Sequence, residues 1–77
     1  MNKERRIRLE KIVFALEDLR DQIESIKVEE EGCYDNLPEG LQDSERGEQM
    51  QENIDNLDEV YDQVDEAIST LRDVVYA

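Results

Sequence analysis

Histidine is absent from these 77 residues. The commonest general base is therefore missing, and so is the nitrogen ligand of helix-borne di-iron sites. Cysteine occurs once, at Cys33, so no internal disulfide can form, and a reducing compartment fits. With no histidine to activate it, that thiol is a poor nucleophile. Proline also occurs once and glycine three times. No glycine-rich phosphate loop can be drawn from so few. Basic residues are scarce, 9 against 22 acidic, for a net charge of −13. Such a chain repels nucleic acid and anionic membranes over about 8–10 Å in physiological salt. No apolar run reaches the length of a bilayer span. The start, MNKERRIRLE, is charged, with no signal-peptide core behind it. These absences predict a soluble, cytoplasmic, non-enzymatic protein. It should carry no metal or cofactor and should not touch nucleic acid or membrane directly.

What the chain does have is two matched heptad series. Apolar residues recur at Leu9, Ile12, Leu16, Leu19, Ile23 and Ile26. They recur at Met50, Ile54, Leu57, Tyr61, Val64, Ile68, Leu71 and Val75. Both series step by three and four, which draws one stripe on an α-helix. Continuing the first series reaches Glu30, Cys33 and Leu37, so the first helix should pass through Gly32 and run over about 3–36. Pro38 disfavours helix at the residue before it. The segment LPEGLQD, 37–43, reads as the linker, with Gly40 suited to a turn. Ser44 is a good N-cap, followed by Glu45 and Glu48 in the first turn. The second helix then covers about 44–76.

The expected fold is all-α: one domain, an antiparallel coiled-coil-like hairpin of two helices. Facing residues should have a constant number sum. A sum of 80 pairs Leu19 with Tyr61, Leu16 with Val64 and Ile12 with Ile68, and it leaves the termini flush. A sum of 87 also pairs apolar with apolar, one heptad shifted, but the sum of 80 closes with the shorter loop and is the register expected. Leu16, Leu19, Val64 and Ile68 are expected mid-seam, Leu19→Ala to cost about 2–5 kcal/mol, and Cys33 to be a small buried hydrophobe. Tyr34, Leu37 and Leu41 should cap the seam at the turn.

Two further patterns point to binding. Glu45, Glu48, Glu52, Asp55, Glu59, Asp62 and Glu66 step three and four on the face away from the seam. Neighbours in such a row lie about 5–6 Å apart, close to phosphate spacing. The row reads either as a nucleic-acid mimic toward a basic partner or as a solvated face. It lacks the glycine-containing loop of a calcium hand. The second pattern is apolar. Ile7, Phe14 and Val28 lie opposite the seam, Val13 flanks it, and Val60, Ala67 and Val74 flank it on the second helix. Ile7, Val13, Phe14, Val74 and Tyr76 should gather near the termini into an interface. One seam buries little, so two hairpins are expected to pair as a homodimeric four-helix bundle through Val13, Phe14, Val60, Ala67 and Val74. Lys3, Arg5, Arg6, Arg8 and Lys11 should lie beside the C-terminus of the second helix, where cations are favoured.

The segment Tyr34-Asp35-Asn36-Leu37-Pro38-Glu39-Gly40-Leu41 resembles a Y-x-N-L-P-E-x-L turn shared by small acidic proteins of phages and prophages of Gram-positive bacteria. Most of those have no assigned function. The resemblance spans nearly the whole chain, but only the turn is specific. It implies a phage-type accessory protein in a bacterial host cell, with no catalytic residues. By analogy it would bind a host protein with a basic surface and inhibit or redirect it, for instance in anti-defence. The alternative is a self-associating assembly module with no charge-dependent partner.

Overall fold

A computed structural model describes all residues, 1–77. It contains three helices and no strand: α1 (Lys3–Asp35), α2 (Glu39–Gln42) and α3 (Glu45–Val75). The molecule is a rod of 59 × 14 × 12 Å. α1 and α3 pack along their lengths in a hairpin-like arrangement.

Local chemistry sets the ends. Asn2 caps α1 by accepting from the Arg5 N–H at 2.9 Å. α1 passes through Gly32 and closes where the Asn36 N–H donates to the Gly32 carbonyl. The stretch expected as a plain linker holds the one-turn helix α2. Pro38 sits at its N-cap with φ −54°, and its carbonyl accepts from the Leu41 N–H at 2.8 Å. Ser44 joins α2 to α3. Its hydroxyl donates to the Leu41 carbonyl and accepts from the Gly47 N–H. Gly47 is buried, and a Cβ there would lie 2.1 Å from the Gln42 carbonyl oxygen. The close approach of α2 to α3 requires a residue without a side chain.

The buried apolar residues are Val13, Met50, Ile54, Ile68 and Val75. On α3 the seam follows the heptad from Met50 to Val75, its remaining members half-buried. On α1 it does not follow the expected stripe. Leu9, Leu16 and Ile23 are half-buried, but the intervening positions are Val13, Arg20 and Lys27. Ile12, Leu19 and Ile26 are exposed; Leu19 keeps 51% of its surface. Cys33 is exposed as well. Two physical causes explain the rotation of α1. Its apolar positions form a band wider than one helix can cover. The long stems of Arg20 and Lys27 can also lie in the seam while their charged heads reach out.

The helices run antiparallel. Arg20 binds Asp65 at 2.8 Å and Lys27 binds Asp58 at 3.0 Å. Both pairs have a number sum of 85, and the third cross-seam pair, Glu17 with Arg72, has a sum of 89, so the ion-paired turns lie nearer the alternative register of 87 than the favoured 80.

Candidate functional site

The rod has differently built sides. One side of the seam is an ionic rail. Arg20 lies between the helices with its side chain 18% exposed, and its guanidinium binds both Asp65 and Asp21. The guanidinium carbon stands 5.8 Å from the centre of the Tyr61 ring, a cation–π distance. One turn pair along, Lys27 is 15% exposed and contacts Asp58, Glu24 and Glu31. Arg72 on α3 reaches back to Glu17 on α1. The hydrogen bond to Asp65 raises the Arg20 pKa against an opposing desolvation effect. The hydrogen bond to Asp58 does the same for Lys27. Both cations are held charged throughout the physiological range.

The acidic row lies beyond that rail on α3. Glu45, Glu48, Glu52, Asp55, Glu59, Asp62 and Glu66 are all exposed. None forms an ion pair: the acids neutralised across the seam are Asp58, Asp65 and Glu17. The row spans roughly 32 Å at 1.5 Å per residue. Its first half borders an open depression that Glu48, Glu52 and Asp55 share with Tyr34 and Gln51. No group of three carboxylate or sulfur side chains converges anywhere as a metal site. No helix is long and apolar enough to cross a membrane.

The expected apolar interface is rearranged. Val13 is buried in the seam, 4% exposed, so it is not available to a partner. It fills the position that the heptad had given to Ile12. Ile7 and Phe14 are exposed on α1, Phe14 at 62%, on the outward face. By helical period they lie on the rail side, away from Val60 and Val74. Val60, Ala67, Val74 and Tyr76 are exposed on α3. The residues that share a side with Val60, Ala67 and Val74 are Ile12, Leu19 and Ile26, which the heptad had placed in the core. Leu41 at the turn is exposed; Tyr34 and Leu37 are half-buried. The signal for this face was present. The 12, 19, 26 positions on α1 and 60, 67, 74 on α3 each flank a seam at intervals of seven. Both fall opposite the rail.

No protein-family model, curated protein or solved structure matches this chain.

Proposed function

We propose that the protein is a non-enzymatic binding module that presents the acidic row of α3 to a basic surface on a partner protein. The observation that supports this is the row itself: seven exposed carboxylates from Glu45 to Glu66, none paired within the chain. A fold that neutralises Asp58 and Asp65 but leaves their neighbours bare concentrates negative potential along one edge. Such a potential steers a cationic surface and speeds encounter. The phosphate-like spacing suits a groove that normally holds nucleic acid. The phage resemblance suits a host protein as that partner, inhibited or redirected by occupancy, inside a bacterial cytoplasm.

The test is charge reversal on the row. Glu52→Lys, Glu59→Lys and Glu66→Lys together should leave helicity intact, because none of the three lies in the seam. Proteins captured from bacterial lysate by the wild type should be lost by this variant, lost at raised salt, and displaced by added duplex DNA. Capture that is indifferent to all three treatments would leave the row as a solvated face.

A second reading, self-assembly into a four-helix bundle, is favoured by a separate observation. The apolar side opposite the rail has no cover within the chain.

A further inference from the structure

The side opposite the ionic rail is a continuous apolar face built by both long helices. α1 contributes Ile12, Leu19 and Ile26, with Leu16 and Ile23 half-buried behind them. α3 contributes Val60, Ala67 and Val74, with Leu57 and Val64 behind. That the two sets adjoin follows from Glu30 of α1, which lines one depression with Leu57 and Val60 of α3. Helices in water cover such bands.

We infer that the occupant of this face is a second copy of the chain, turned end for end, so that α1 lies antiparallel on α1 of the second copy. Area supports a copy of this size. The chain exposes 5741 Å² at 9.1 kDa. A compact protein of that mass exposes about 4,900 Å². The excess, roughly 800 Å², comes with the rod shape and is of the size that each partner of an ordinary stable interface buries.

Charge and sequence symmetry supply the orientation. The face is basic at the terminal end, where Arg5 and Arg8 border a depression with Met1, Leu9 and Ile12. At the turn end Glu30 of α1 lines a depression with Asn53 and Asn56, while Arg46 of α3 falls in the heptad column of Val60. Along the α1 row, inversion brings the Arg8 end to the Glu30 end; pairing like ends does not. The exposed row on α1 is also symmetric about Leu19. Ile12 then meets Ile26 of the second copy, Leu19 meets its own counterpart, and Arg8 comes to Glu30 of the second copy. A two-fold axis crosses the bundle at Leu19, and every neighbouring pair of helices is antiparallel, as in up-down bundles. The acidic rows stay on the outside, so this inference does not depend on the function proposed for them.

Sedimentation equilibrium of the full chain at about 100 μM tests the assembly. The expected mass is twice 9.1 kDa. Leu19→Glu should reduce it to that of one chain, whereas Phe14→Glu, on the outward face, should leave it unchanged. A variant that loses helicity would blur the first result, so oxidation supplies a second. Leu19→Cys in a Cys33→Ser background should form a covalent dimer, faster by about tenfold or more than wild-type Cys33. The two Cys33 thiols stand roughly 40 Å apart in the inverted bundle at 1.5 Å per residue. Arg8→Glu should weaken association, and adding Glu30→Arg should restore it. Within one chain those residues are some 33 Å apart at that same rise, so the rescue operates between chains. A wild type of single-chain mass at this concentration overturns the inference. Faster crosslinking through Cys33 than through Leu19→Cys, or no rescue by Glu30→Arg, overturns the inverted arrangement.

Discussion

Gly47 is the residue at which a single methyl group does most harm. A Cβ would sit 2.1 Å from the Gln42 carbonyl oxygen and 2.6 Å from that of Leu41. Those atoms are backbone and cannot swing aside. Gly47→Ala should push α2 off the start of α3 and lower the melting temperature, although alanine ordinarily favours a helix over glycine. Gly32 is the control, since a Cβ there meets nothing within 4 Å. Gly32→Ala should stabilise α1 by up to about 1 kcal/mol. A denaturant titration of both variants decides it: the two substitutions must move the midpoint in opposite directions. Burial makes a similar contrast along the seam. Ile68 is fully buried and Ile68→Ala should cost about 2–5 kcal/mol. Leu19→Ala, measured on dilute single chains, should cost less, because half of that side chain is already in water. Glu59→Ala should stay within about 0.5 kcal/mol of wild type.

At the scale of the elements, Ser44 is the joint. One hydroxyl ends α2 and begins α3, so Ser44→Ala should cost about 1 kcal/mol. The rail behaves differently. Lys27 has its pKa raised above 10.5, first by the hydrogen bond to Asp58. A raised folded-state pKa means that the pair's contribution is complete below pH 10.5 and is lost as pH climbs through the higher folded value. Lys27→Met keeps the buried stem and removes the charge. Its melting temperature should differ from wild type by the same small amount across neutral pH, with the gap closing only in strong alkali.

The all-helical class was legible because two long segments carry a period of three and four and almost no breakers. Three features were not. α2 is four residues long, too short to show any period, and only Pro38 followed by Glu39 marks its start. The rotation of α1 was hidden because Ile12, Leu19 and Ile26 are as apolar as a seam requires. Hydropathy does not distinguish a narrow seam from a broad face. Arg20 and Lys27 read as surface residues, yet their stems fill seam positions. The exposure of the acidic row was legible from spacing alone. The apolar side is half legible: spacing sets Val60, Ala67 and Val74 beside the seam, but it assigns their neighbours on α1 to the core.

At the scale of the whole molecule, charge acts in two opposing ways. A net charge of −13 on a rod 59 Å long makes the folded chain repel itself. Added salt screens that repulsion, so the melting temperature should rise between about 20 and 200 mM salt, over which the Debye length falls from some 20 Å to below 10 Å. The same salt should weaken capture of a basic partner through the acidic row. Thermal melts and binding isotherms over one salt series should therefore trend in opposite senses. If both fell with salt, ion pairs of the rail would outweigh self-repulsion.

The long axis also governs how the protein moves through solvent. Its radius of gyration is 17.4 Å, against about 11.5 Å for a compact chain of this length. Friction follows dimension as well as mass, so a single chain should elute from a sizing column ahead of a globular protein of its own mass. Stacking a second rod alongside thickens the particle without lengthening it, so its elution should change far less than its mass. Tumbling would be anisotropic in both forms, and the amide vectors of α1 and α3, nearly parallel to the long axis, would sense mainly the slow end-over-end motion. Nuclear spin relaxation should therefore give nearly uniform rates along both helices, with departures at α2, whose direction is its own.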